Sequence, residues 1–93
     1  GRRLQKIAYD DILFMQSEKD FVKIFTEEKF HLELQSLKYY ATLLPENFLR
    51  VHKSYLVNLD RLMALEGNII KIHQHEIPIG RNYKEALWKK LGL

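Results

Sequence analysis

A chain of 93 residues with 46% hydrophobic and 29% charged side chains carries enough apolar material for one core and too much for a disordered segment. It contains no cysteine, which removes disulfides and thiolate metal sites and accords with a reducing cytoplasm, and its apolar runs fall far short of the roughly 20 residues that span a bilayer. The formal charge of +3 permits an acidic partner such as nucleic acid without demanding one; the excess arises after residue 44, where eight Lys or Arg face five Asp or Glu, against seven of each before.

Gly1-Arg2-Arg3 reads as an added scar or the end of a linker, so the chain is expected to be one domain, residues 1–93, taken from a longer protein. Beyond it the apolar pattern is mostly of period two, interrupted by two helical stretches, which predicts a mainly β fold with two helices. Leu4 to Ala8 is a first candidate strand. Ile12 to Gln16 is a second, with Ile12 and Phe14 on one face, Leu13 and Met15 on the other, and both faces covered. Ser17 to Asp20 is a polar hairpin connection to a strand from Phe21 to Thr26. Glu27 to Lys29 then turns into a strand from Phe30 to Leu34, where alternation points Phe30, Leu32 and Leu34 inward. Ser36 is placed to cap a helix from Leu37 to Leu44, whose Leu37, Tyr40, Ala41 and Leu44 share one face, and Pro45 ends it.

Phe48 to Asn58 interleaves apolar with basic residues. Leu62 to Glu66 and Ile69 to His73 flank Gly67-Asn68, a hairpin signal because glycine tolerates a positive φ. Gln74-His75 turns into Glu76 to Ile79, and Pro78, lacking an amide donor, confines that strand to an edge or to pairing on one side. The last helix is predicted from Asn82 to Leu91, with Tyr83, Leu87 and Leu91 spaced four apart and Ala86 and Trp88 widening the stripe. Glu85 and Lys89 are spaced as an i,i+4 ion pair on its outer side.

Within Phe48 to Asn58, Phe48, Val51, Tyr55, Leu56 and Val57 read as packing residues, whereas Arg50, His52, Lys53 and Ser54 gather donors suited to phosphate oxygens or base edges. On composition alone that group is equally a reading surface or a solvated polar edge. Asn58, ending the apolar run, is expected to close a turn by bonding the local backbone. Gly80-Arg81-Asn82 lies where a strand passes into a helix, so Arg81 projects from a junction whose amides favour anions, with Lys84 one turn on. A plain exposed arginine at a helix start fits the same residues. Lys19 and Asp20 form a third candidate contact loop, with Asp20 accepting from a cytosine amino group or shaping the turn, and the plain hairpin is the stronger reading. His73 and His75 would form a metal pair on one strand face, but no third ligand is suitably spaced and a turn falls between them, so no metal or cofactor is expected. His52, Ser54 and Asp60 have the side chains of a hydrolytic triad without a nucleophile elbow or an oxyanion hole, so no enzymatic activity is expected.

Taken in order, Phe48-x-Arg50-Val51-His52-Lys53-Ser54-Tyr55-x-Val57-Asn58, then Gly67-Asn68, then Ile77-Pro78-Ile79-x-Arg81-x-Tyr83, the chain resembles the LytTR family of bacterial DNA-binding domains. Ile12-Leu13-Phe14-Met15-Gln16-Ser17 extends the likeness upstream, so that it covers nearly the whole chain. The resemblance implies about ten short strands in an elongated stack of small antiparallel sheets, with loops rather than a recognition helix entering successive major grooves on one side of a bent duplex. It implies Lys53 and Arg81 as base readers, Asp20 at a base-facing loop position, and Arg50, Ser54 and Lys84 as phosphate holders. His52 and Asn82 stand beside them in the same segments. The chain departs from the family where Asp20 replaces a basic or His side chain, with Lys19 able to take over, and where Gly80 stands in place of a common Ser before the arginine.

The function expected is that of a cytoplasmic transcription regulator: the output domain of a two-component response regulator, joined to an upstream receiver domain, binding double-stranded DNA as self-associating copies on promoter direct repeats, away from any membrane. The rival reading is a β-rich sensory or protein-interaction domain that binds no DNA.

Overall fold

The computed structural model describes residues 7–93. Its backbone is built from hairpins. Strand β1 (Phe14–Glu18) turns through Lys19-Asp20 into β2 (Phe21–Phe25), which pairs with β3 (Phe30–Glu33). After helix α1 (Leu37–Leu43), β4 (Phe48–His52) turns through Lys53-Ser54 into β5 (Tyr55–Asn58), and β5 pairs with β1. These five form one antiparallel sheet in the order β3-β2-β1-β5-β4. Strands β6 (Ala64–Glu66), β7 (Ile69–Ile72) and β8 (His75–Pro78) form a second, three-stranded antiparallel sheet in chain order, and helix α2 (Lys84–Leu91) closes the chain. Short 3-10 turns precede β1 (Tyr9–Asp11), follow β5 (Leu59–Arg61) and lead into α2 (Arg81–Tyr83). The molecule is mainly β with two helices, elongated at 41 × 24 × 22 Å, with eight strands among the described residues against the ten or so implied by the family likeness.

Each face of the large sheet buries a core. On one face Phe14 and Val57, with half-buried Phe25 beside them, pack against Ile70, Ile72 and Ile77 of the small sheet and Leu87 of α2. On the other, Met15, Val22, Ile24 and Leu56 pack against Leu37 and Leu44 at the two ends of α1. The period-two alternation of the strands thus becomes three layers: α1, the large sheet, then the small sheet with α2. Ser36 caps α1 as expected, its hydroxyl accepting from the Tyr39 amide at 3.1 Å. Gly67 takes φ 61° in the β6–β7 turn, and Pro78 lies on β8, an edge of the small sheet that pairs only with β7.

Several expectations are corrected. The strand expected over Leu4 to Ala8 lies mostly outside the described residues; Ile7 and Ala8, which are described, are not in a strand. The second strand begins two residues late, and the cores join Leu13 with Phe14 and Ile12 with Met15, because the chain enters the strand from a 3-10 turn instead of running straight. Phe30, Leu32 and Leu34 do not point inward: they are 47%, 52% and 70% exposed. The alternation is right but the covered face is the opposite one, since register places His31 beside Ile24 and Glu33 beside Val22 on the α1 side. Ala41 is exposed at the edge of the α1 stripe. The last helix starts at Lys84, with a 3-10 turn over Arg81–Tyr83, and Lys90 reaches Glu46 at 3.8 Å while Glu85 and Lys89 make no ion pair.

Candidate nucleic-acid interface

Phe48 to Asn58 is a hairpin whose register slips between Arg50 and His52. The extra residue, Val51, is fully buried in the core under the small sheet, and the bulge leaves Arg50 on the α1 side with Leu56 while His52 sits opposite Tyr55. Inward-facing Phe48, Val51, Leu56 and Val57 anchor both strands, so the Lys53-Ser54 turn stands on a rigid base. Side chains finish the turn. His52 Nδ1 accepts from the Ser54 amide at 3.0 Å, which orients the imidazole against the turn. Arg50 Nη2 donates to the Lys53 carbonyl at 2.7 Å and Nε to the His52 carbonyl at 3.5 Å.

Two other turns are tied to this one. On one side the Ser17 amide donates to the Ser54 carbonyl at 2.9 Å, which brings the Lys19-Asp20 turn alongside. On the other the Gly80 amide donates to the Val51 carbonyl at 2.7 Å, and the Tyr83 amide closes the 3-10 turn onto the Gly80 carbonyl at 3.0 Å. A Cβ at Gly80 would lie 3.0 Å from Cδ2 of Tyr83 and 3.4 Å from Cα of His52, so glycine permits this approach. Lys19, Asp20, Arg50 and Lys53 line one shallow groove, joined by Gln35, Ser36 and Lys38 from the start of α1. Arg81, Asn82 and Lys84 flank the hairpin turn from the Gly80 side, with Arg81 and Asn82 exposed and Lys84 half-buried. The nine residues singled out in the sequence for DNA contact therefore sit on or beside three adjoining turns, with Arg50 and His52 at the end of β4 and Lys84 at the start of α2.

The cations at this end stand outside the ion pairs of the fold. The lysine and arginine ion pairs among the described residues are Lys23–Glu18, Arg61–Glu27, Lys71 with Glu66 and Glu76, and Lys90–Glu46. None of Lys19, Lys38, Arg50, Lys53, Arg81 and Lys84 has a carboxylate at that distance; with Arg50 folded onto the carbonyls of its own hairpin, five cations on or beside the turns remain available to an anionic surface. Lys84 opens α2, at the end where the helix dipole disfavours a cation, so its place there does nothing for the helix.

Sequence reasoning missed Lys38, Gln35 and Ser36 as neighbours of this groove, because α1 is brought to it by packing of Leu37 and not by any local motif. It also missed Tyr83, whose ring lies 5.9 Å from the Arg50 guanidinium carbon. The other constellations do not assemble. Asp60 binds Asn47 at 3.1 Å, at the far end of β5 from Ser54, so His52, Ser54 and Asp60 form no triad. His73 occupies the β7–β8 turn with φ 52°, whereas His75 lies edge-on to Phe14 and Phe25, and no group of three metal-ligating side chains occurs among the described residues.

A known family matches the chain both in sequence and in fold. The family model described as the LytTr DNA-binding domain matches residues 2–92. A solved structure with the same fold, the LytTr DNA-binding domain of a protein from Bacillus cereus assigned as a methyl-accepting/DNA response regulator, superposes with a TM-score of 0.87 over 94% of this chain and 86% of its own, at 20% identity. No curated protein sequence matches the chain.

Proposed function

The chain belongs to the LytTr DNA-binding domain family, and from that premise we propose that its three adjoining turns read double-stranded DNA in sequence-specific fashion. The observation that carries the reading is the gathering of five cations without carboxylate partners, Lys19, Lys38, Lys53, Arg81 and Lys84, on or beside turns stapled by the Ser17–Ser54 and Gly80–Val51 backbone bonds. A duplex presents phosphates along both groove edges, and rigid loops bearing Lys and Arg satisfy phosphates while reaching base edges between them. In this reading Lys53 and Arg81, on neighbouring turns, address base edges, and the loops together read successive major grooves. Ser54 and Lys84 hold phosphates, with His52 and Asn82 beside them. Lys19 supplies the charge of the first turn, and Asp20 accepts a base amino group or shapes that turn.

The biological setting follows the same proposal: a cytoplasmic regulator of transcription, the output domain of a two-component response regulator with a receiver upstream. Copies of the domain associate on direct repeats, where the second contact profits from the effective concentration set by the first. Titration of duplex DNA over a range of salt tests the proposal. Affinity should fall linearly in log–log form with a slope set by the phosphates contacted, and selection from random duplexes should return a recurring half-site in tandem copies. Binding that ignores salt on every duplex offered would overturn it, in favour of a β-rich protein-interaction domain.

A further inference from the structure

Arg50 has a geometry unlike that of the other cations at this end. Its guanidinium is folded back onto its own hairpin, with Nη2 2.7 Å from the Lys53 carbonyl and Nε 3.5 Å from the His52 carbonyl. Its carbon also stands 5.9 Å from the centre of the Tyr83 ring, within reach of a cation–π contact. Tyr83 closes the turn that carries Arg81, and that turn is docked on β4 through the Gly80 amide. One side chain thus touches both the turn bearing Lys53 and the turn bearing Arg81.

We propose that Arg50 is a positioning residue, which locks the Lys53-Ser54 turn to the Gly80–Tyr83 turn so that Lys53 and Arg81 meet a duplex as one rigid body. The inference rests on the reading of this end as a DNA-binding surface, and it gives Arg50 a task other than holding phosphate. A guanidinium suits that task because its planar fork serves two carbonyls at once while its face remains free for a ring. A lysine ammonium has the charge without the fork, and so cannot hold both turns. The bulge at Val51 makes the arrangement possible by curling the strand so that Arg50 reaches the carbonyls of its own turn.

The two roles separate in experiment. Arg50→Lys keeps the charge and removes the lock. Titrations would use a duplex selected from a random pool by the wild-type domain and an unrelated duplex, each over a range of salt. Exchange of the Lys53 and Ser54 amides would be followed by NMR without DNA. For Arg50→Lys we expect unchanged affinity for the unrelated duplex, an unchanged salt slope, a loss of about ten-fold in preference for the selected duplex, and faster exchange at the turn. Gly80→Ala disturbs the same docking from the other side without altering any charge, and should lose preference in the same way. A phosphate role would instead make Arg50→Ala lower the salt slope by about one and weaken both duplexes alike, with turn exchange unaltered, and that outcome overturns the proposal. So does an Arg50→Lys protein with full preference. A wild-type domain that binds no duplex overturns the functional reading instead, and the exchange rates, read without DNA, still decide the lock.

Discussion

Among the described residues Asn58 is the only buried polar side chain, at 1% exposure, and both ends of its amide are engaged. Nδ2 donates to the Ile12 carbonyl at 2.9 Å, while Oδ1 accepts from the Asp60 amide at 3.0 Å and from Asn47 Nδ2 at 3.0 Å. The local bond to Asp60 is the one the sequence foretells, since an asparagine closing an apolar run caps the turn that follows. The bond to Ile12, 46 residues away, is not local, and it pins the entry to β1 against the end of β5. Asn58→Ala should therefore cost roughly 2–4 kcal/mol in chemical denaturation, because buried partners lose their bonds as well as the side chain. A loss below about 0.5 kcal/mol, the range of an ordinary surface change, would show that water replaces the amide. At the end proposed to face DNA the expectation reverses, with binding affected and stability spared. Lys84→Ala should leave stability unchanged or raise it by a few tenths of a kcal/mol, because the helix dipole opposes a cation there. It should weaken all duplexes alike and lower the salt slope by about one. Arg81→Ala should cost about 1–3 kcal/mol on the selected duplex and relax preference at one base position. Paired titrations on selected and unrelated duplexes check both, and equal effects of the two changes would overturn the roles assigned to them.

At the scale of elements, hairpins marked by a glycine, a proline or a polar run such as Ser17 to Asp20 were legible, and the one without such a mark was not. Gly67 announces the β6–β7 turn because its φ of 61° is free to glycine, and Pro78 announces an edge because it lacks an amide. Lys53-Ser54 carries no such mark, so the hairpin in Phe48 to Asn58 escaped notice although its packing residues were named. The bulge at Val51 depends on what the small sheet and α2 supply beneath it, and nothing in the neighbouring residues encodes it. The inverted face of β3 has the same origin: Phe30, Leu32 and Leu34 alternate as a core strand should, but α1 covers the other side. For the candidate site, residue types were readable and their mutual contacts were not, since the Arg50 carbonyl partners and the Tyr83 ring arise from tertiary placement. Lys19 shows how a turn can be strained without a sequence mark, for it sits at φ 58°, where a side chain costs about 1–2 kcal/mol. Lys19→Gly should relieve that strain while adding freedom to the unfolded chain, for a net change within about 1 kcal/mol by denaturant melt. DNA affinity should nonetheless fall, since the charge is lost. Destabilisation well beyond that figure would mean that the Lys19 stem packs into the groove.

Over the whole molecule, the two sheets meet where the ring of His75 of β8 lies across the stacked pair of Phe14 and Phe25, steeply inclined to both, with centroid distances of 5.0 and 5.2 Å. The contact joins the layer that leads into Arg81 with the layer that carries the Lys19 and Lys53 turns. Burial there pushes the His75 imidazole below its ordinary range, and the neighbouring His73 pushes it further the same way. The sign of the consequence follows from linkage. Above about pH 6.5 the imidazole is neutral in folded and unfolded chains alike, and the contact contributes in full. As pH falls through that value the unfolded chain takes up the proton first, so the folded state loses stability until its own His75 is protonated, and the loss then levels off. Denaturant melts from pH 7.5 down to the onset of carboxylate titration should therefore show falling stability in the wild type. His75→Phe, which keeps an aromatic ring against Phe14 and Phe25 but cannot be protonated, should flatten that fall. An equal fall in both proteins would place the pH sensitivity elsewhere and leave His75 as packing alone. A flattened profile would assign the loss of stability in mild acid to the joint between the sheets.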